Sequence, residues 1–354
     1  PLLLSPARPI VLLGKKSPEA LSPLVAPDNR NLGIMLPYTP LHHLIFTGGI
    51  DALVMTSANF SEEPIVISEA DARERLRELA DFILAHNRRI LNRADDSVMR
   101  VFGGCGRFLR RSRGFVPVPI FLKFTSPPVL AVGGELKNTI CVTKGDRAYP
   151  SQYVGDLENP LAISFFEEAV GRIEKCVDVE PEIIVHDMHP EYTSTKYALE
   201  RNCATKISIQ HHHAHILSVL AEQRLDEPVI GIAIDGTGYG MDGNIWGSEV
   251  LLVDKNNVER LSHLGYLPLP GGEKAIRENW RTGLALLYMA FGEESLELIR
   301  KFEIFEATAD RRKNSEKLLR LLHDGYGFPL SCGMGRYFDG ISALIGLVDR
   351  NAFE

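Results

Sequence analysis

A proline-rich run, VPVPIFLKFTSPP at Val116–Pro128, constrains the fold of this chain more than any other feature. Its four prolines each remove a backbone donor and fix φ, so neither a helix nor a central strand can run through the stretch. Residues that precede proline are pushed into extended conformations. The chain therefore reads as two modules, residues 1–118 and 129–354, joined by an extended linker at 119–128. Before the run, Ile10–Leu13 and Leu53–Thr56 have the makeup of strands. Glu69–Leu84 sets Ala72, Leu76, Leu79 and Ile83 at helical spacing. After it, strands are expected at Val129–Val132, Thr139–Thr143, Ile183–His186, Ile207–Gln210, Val229–Ile234 and Val250–Val253. Helices are expected at Leu161–Val177, His212–Glu222 and Trp280–Ala290. Strand–helix alternation makes both halves α/β.

Composition narrows the function classes. The 354 residues are 45% hydrophobic and 24% charged, the balance of a globular protein with two or three domains. Lys plus Arg is 39 and Asp plus Glu is 46, a net charge of −7. That excess argues against a nucleic-acid partner, because counterion release needs many cations. No apolar run approaches the roughly 20 residues of a membrane span, so no membrane partner is expected. The five cysteines are scattered, with no C-x-x-C pair, as in reduced cytoplasmic protein. Pro1 opens directly into a strand-like run, and Tyr337–Asp349 reads as a helix broken off near the end. The chain is accordingly expected to be a piece of a longer protein.

The sharpest motif is QHHHAH, Gln210–His215, which follows the strand TKISI and opens a helix. His211 and His215 are spaced i, i+4, which puts both rings on one helix face, as two ligands of one metal require. Against this stands a polar helix start with capping and core histidines. The second motif is AIDGTGYGMDGNIWG, Ala233–Gly247. An apolar strand is expected to end on Asp235, where a carboxylate can hold a cation beside a phosphate. Gly236, Thr237 and Gly238 follow, with Gly240 and Gly243, and let the backbone approach that phosphate. The plainer alternative is a glycine-rich hairpin. A similar strand–turn, AVGGELKN, stands at Ala131–Asn138, and two such loops in one α/β module suit an actin/hexokinase-like nucleotide fold. In MTSANFSEEPI, Ser57 and Asn59 offer hydroxyl and amide contacts, though a cap and turn accounts for them equally. RFLRRSRGFVP carries Arg107, Arg110, Arg111 and Arg113, cations for a phosphate or simply a solvated face. PLPGGEKAIRENWR sets Lys274, Arg277 and Arg281 on one helix face after a Gly-Gly turn, with ion pairs to Glu273 and Glu278 as the alternative.

Read together, LPYTPLHHL, MTSANFSEEPI, ADDSVMR, RRSRGFVP, GGELKNT, SQYVGDLEN, DMHPEYTST, QHHHAH, DGTGYG and PGGEKAIRENWR resemble the HypF carbamoyltransferase family of hydrogenase maturation factors over essentially the whole chain. The resemblance implies a YrdC-like α/β domain lacking its start. It is followed by a TsaD-like domain of the actin/hexokinase class lacking its second lobe. An acylphosphatase domain and a zinc-finger region would precede both. It implies that carbamate from carbamoyl phosphate is joined to the AMP moiety of ATP, giving carbamoyl-adenylate in the YrdC-like domain. Ser57 and Asn59 match the S-x-N nucleotide motif there, with Arg110, Arg111 and Arg113 as phosphate contacts. The TsaD-like domain would then pass the carbamoyl group to the C-terminal cysteine of HypE. His211, His215 and Asp235 would be the catalytic ligands of a divalent zinc, iron or magnesium ion. Gly236, Thr237, Gly238, Lys274 and Arg277 would face the nucleotide phosphates.

Three competing functions stay open on the residues. One is an O-carbamoyltransferase acting on a small-molecule hydroxyl, which the RENWR and SQYVGDLEN segments disfavour. Another is threonylcarbamoyl-adenosine synthesis on tRNA, which the −7 charge disfavours. The third is a scaffold that holds HypE while another chain does the chemistry.

Overall fold

The computed structural model describes the chain except residues 17–20, 28, 62, 255–256, 302–304, 306–308 and 352–354. Glu62, inside the MTSANFSEEPI motif, thus lies outside the described residues. The chain forms two compact units, Pro1–Ile207 and Ser208–Glu354. That division falls well past the proline-rich run.

The first unit contains two sheets. One comprises β1 (Ile10–Gly14), β2 (Asn31–Ile34), β3 (Val98–Phe102) and β4 (Cys105–Arg110) in the order β2-β1-β3-β4. Two short helices, α1 (Pro40–Ile45) and α2 (Glu69–Arg75), belong to the same module. Two expectations fail here. Leu53–Thr56 is not a strand, and Val54 there is 74% exposed. The helix expected over Glu69–Leu84 stops at Arg75. Ser68 caps it through Asp71 N at 3.1 Å, but of its apolar stripe only Leu76 is buried, while Leu79 and Ile83 stay exposed. Past Leu76, no packing repays helix formation.

The second sheet comprises β5 (Ile120–Ser126), β6 (Val129–Ala131), β7 (Cys141–Pro150), β8 (Ile183–Asp187) and β9 (Thr205–Ile209), in the order β5-β7-β6-β8-β9. The segment expected as a linker at 119–128 is therefore mostly strand. β5 pairs antiparallel with β7, Ile120 opposite Ala148. It tolerates its prolines because it is an edge strand and they lie outside its span. Helix α3 (Pro160–Val177) covers this sheet. Asn159 caps it by accepting from Ala162 N at 2.9 Å, Pro160 supplies a preset φ at its first position, and Asp178 ends it in a left-handed conformation with φ 54°. Phe165, Phe166, Ala169, Val170, Ile173 and Val177 recur at helical spacing and are buried with Leu130, Ile140, Val142 and Ile184. Each large side chain so buried contributes roughly 1.5–3 kcal/mol. Helix α4 (Thr193–Glu200) is held by Glu135, which accepts from Thr193 N at 2.6 Å and Oγ1 at 2.7 Å.

The second unit begins just before α5 (His211–Gln223). β10 (Val229–Tyr239) pairs antiparallel with β11 (Ile245–Val253), which also pairs with β12 (Val258–His263) and with β14 (Leu330–Ser331), itself beside β13 (Leu267–Pro268). Ile216 of α5 packs on Ala233, Leu251 and Val253. Gly231 permits that approach, since a Cβ there would sit 2.7 Å from Ile216 Cγ1. The helices α6 (Lys274–Arg277), α7 (Asn279–Phe291), α8 (Ser295–Lys301), α9 (Ala309–His323) and α10 (Met334–Leu344) complete the unit. Trp280, Leu284, Ile299, Leu319 and Ala343 form their shared core. Among the described residues, no helix is long and apolar enough to cross a membrane.

Candidate functional site

The QHHHAH motif sits where β9 hands over to α5. Gln210 is the cap residue and accepts from His213 N at 3.0 Å. One turn of helix then brings His211 and His215 together, with ring centroids 4.8 Å apart and Nε2 atoms 3.2 Å apart. Asp235 approaches from β10. Its Oδ2 lies 3.1 Å from His211 Nε2 and 3.5 Å from His215 Nε2, and its Oδ1 accepts from Gly236 N at 2.6 Å. The sequence expectation that the strand ends on Asp235 is corrected: β10 runs on to Tyr239, and the tight turn is Gly240–Asn244, with Gly243 at φ 78°. The register of β10 on β11 breaks between Ile234 and Gly238. An irregularity of this kind re-aims side chains beside a site, and here it falls on Asp235.

Electrostatics follow from this packing. Burial pushes the Asp235 carboxyl upward, but hydrogen bonds from His211, His215 and Gly236 N outweigh it and hold the group well below the usual carboxylate range. Burial pushes the neighbouring His212 imidazole down to about 4, with His211 adding in the same sense. His213 is lowered by burial too. Two imidazole nitrogens and one carboxylate oxygen thus converge, all within 4.8 Å of one another. Three donors at this spacing could hold a divalent cation and leave a position open to a further ligand. The His215 side chain is 58% exposed, so the site is reachable from solvent. Mixed nitrogen and oxygen donors fit zinc or iron; magnesium prefers oxygen alone.

The structure places the remaining expected residues less uniformly. Gly236, Thr237 and Gly238 continue β10 past Asp235. Lys274 and Arg277 are exposed on the single turn α6. Arg281 pairs with Glu278 at 2.5 Å and lies over the Trp280 ring. In the first unit, Asn59 donates to Phe60 O at 2.8 Å and Glu63 O at 2.9 Å, while its Oδ1 is buried without a partner. Ser57 is exposed two residues away. Arg113, expected among the phosphate contacts, is held by neighbours within its own unit. Its donors engage Asp96, Ala7 O and Arg8 O at 2.6–3.1 Å, and it lies over the Tyr38 ring. Arg110 faces Asp95 at 3.4 Å and the Tyr153 ring. Arg111 donates to Val118 O at 2.7 Å.

Sequence reasoning missed a second polar group. Glu249 is fully buried and pairs with Arg260 at 2.6 Å, while the Cys332 thiol donates to it at 3.0 Å. Burial and the Glu249 carboxylate push that thiol up to about 11. Glu249 shares its face of β11 with the buried Leu251 and Val253, but apolar residues on both faces of the strand hide that parity in the sequence.

Comparison with known proteins agrees with this architecture. Residues 2–112 match the Sua5/YciO/YrdC family, described as telomere recombination. Residues 124–222 match the HypF Kae1-like domain, and 231–354 the second subdomain of the carbamoyltransferase Kae1-like domain. Carbamoyltransferase HypF2 of Cupriavidus necator is 42% identical over all of this chain and 45% of its own length. Carbamoyltransferase HypF of Synechocystis sp. is 43% identical over all of this chain and 47% of its own. A crystal structure of full-length HypF in the phosphate- and nucleotide-bound form superposes with a TM-score of 0.91 at 45% identity, over all of this chain and 54% of that one. HypF of T. kodakarensis superposes with a TM-score of 0.89 at 38% identity, over 99% of this chain and 47% of that one. A YrdC-type module followed by Kae1-like modules defines the class. The chain belongs to the HypF carbamoyltransferase family. It spans about half the length of the curated relatives it matches.

Proposed function

We propose that the chain is the part of an ATP-dependent carbamoyltransferase that adenylates a carbamoyl group and delivers it to a protein thiol. The observation that carries this reading is the convergence of His211, His215 and Asp235 within 4.8 Å, in a chain whose relatives are named carbamoyltransferases. Carbamate derived from carbamoyl phosphate attacks the α-phosphate of ATP, pyrophosphate leaves, and carbamoyl-adenylate results. The sulfur of the acceptor, the C-terminal cysteine of HypE, then bonds to the carbamoyl carbon. The carbon–oxygen bond to AMP breaks, and the thiol gives up its proton.

Asn59 is the residue for the first step. Its Oδ1 is buried and unpartnered, an acceptor left over for a nucleotide donor, and Ser57 adds a hydroxyl. Arg110 and Arg111 neutralise phosphate. For the second step, His211, His215 and Asp235 hold the cation, which when bound polarises the phosphate side of the adenylate and stabilises the departing charge. Gly236, Thr237 and Gly238 bring backbone N–H groups beside that site, and Lys274 and Arg277 supply positive charge. The test is the mass of purified HypE after incubation with ATP and carbamoyl phosphate, using a chain of the relatives' full length. Wild type adds one carbamoyl group to the cysteine, whereas the His211→Ala/His215→Ala double variant adds none. Labelling by the double variant at the wild-type rate would reverse the assignment.

A further inference from the structure

A buried polar pair stands behind the ligand cluster. Gln210 is 5% exposed and His212 fully buried. The N–H of His213 donates to Gln210 Oε1 at 3.0 Å, which fixes the oxygen end of that amide. The amide nitrogen therefore faces Tyr239 O at 3.3 Å and His212 Nδ1 at 3.2 Å. An amide N–H can only donate, so His212 Nδ1 accepts and its ring proton sits on Nε2. That Nε2 has no hydrogen-bond partner and lies 3.7 Å from Asp235 Oδ2, just beyond hydrogen-bond range. The ring is seated against Gly238, where a Cβ would come within 2.6 Å of His212 Cε1.

We infer that His212 is the positioning residue of the cation site: oriented by Gln210, its Nε2–H holds the Asp235 carboxylate once the His211 and His215 nitrogens are engaged by a cation. This rests on the reading of His211, His215 and Asp235 as a cation site. Gln210 serves both ligand-bearing elements, since one side chain bonds the start of α5 and the end of β10. Metal-ligating groups depend on such outer hydrogen bonds for orientation.

Two measurements on the 354-residue chain test it. The first is long-range proton–nitrogen correlation NMR with labelled histidine. The expected spectrum has His212 protonated on Nε2 and bare on Nδ1, with the Nε2–H signal moving downfield on addition of zinc. A proton on Nδ1 would overturn the inference without any variant. The second is zinc affinity by competition with a chromogenic chelator. His212→Phe keeps the ring volume but loses the donor, and weakens binding by about 10- to 100-fold, whereas His212→Gln, whose amide reaches the same place, restores most of it. If wild type binds zinc and His212→Phe binds it equally, the role of His212 fails and the cation site stands. If wild type binds no zinc, the cation site fails and this inference with it.

Discussion

Gly238 lacks a side chain because the His212 ring occupies the space one would fill. Replacing it with alanine forces the ring back from β10, and overpacking of this kind costs about 1–3 kcal/mol. Urea unfolding should show that loss for Gly238→Ala, together with weaker zinc binding; unchanged stability would mean that the ring moves freely. The same close fit governs the Glu249–Arg260 pair. Glu249 is fully buried and Arg260, stacked 3.8 Å over the Trp246 ring, is mostly so. Glu249→Ala leaves a guanidinium without its partner, and breaking such a pair costs about 3–5 kcal/mol. Thermal unfolding of that variant should fall sharply, with a smaller fall for Glu249→Gln, which still offers Arg260 an oxygen. The histidine pair was legible at this scale, because i, i+4 spacing fixes a shared helix face whatever the tertiary context. For His212 the sequence left open a group behind the ligands or an exposed ring, and the roles of Gln210 and Glu249 were not legible, because such roles depend on which neighbouring strand the buried faces meet.

At the scale of elements, the site is a helix start laid against a bulged strand. α5 could be read from the apolar run after QHHHAH, and β10 from Val229–Ile234. The continuation of β10 through DGTGY could not be read, since glycine-rich sequence signals a turn and only pairing with Trp246 and Ile245 holds it as strand. In the same way, the stripe over Glu69–Leu84 has helical period but little to pack on, and α2 ends early. The buried start of α5 also sets a pH dependence. Burial holds His212 at about 4 instead of 6.5, so between those values the unfolded chain binds the proton and the folded chain does not. The cation-free chain should keep this contribution above about pH 6.5 and lose it as pH falls towards 4, by on the order of 3 kcal/mol. Asp235 acts in the same direction at still lower pH, since its carboxyl is held below the usual range. Urea unfolding with chelator present, at several values across that window, should show a shallower pH slope for His212→Gln than for wild type. Identical slopes would remove His212 as the source.

Across the whole molecule, the order of motifs carried more than any one of them. Ten segments in sequence pointed to two α/β modules, and matches at 2–112, 124–222 and 231–354 follow that order. The proline-rich run lies between the matches at 2–112 and 124–222, whereas the compact units divide at Ile207 and Ser208. Its prolines suggested a linker, whereas their positions at the ends of β5 let the segment close the edge of a sheet. On the proposed function, separate residues serve separate steps: Asn59 adenylate formation, His211 carbamoyl transfer. Isolating a labile adenylate from water favours such a division, because hydrolysis competes with transfer. The direct test runs two readouts on Asn59→Ala and His211→Ala in a chain of the relatives' full length. These are carbamoyl-phosphate-dependent exchange of pyrophosphate into ATP, and carbamoylation of the HypE cysteine. Asn59→Ala should lose both readouts, while His211→Ala should keep the exchange and lose carbamoylation. Loss of both activities to the same extent in the two variants, with both folded, would contradict that division.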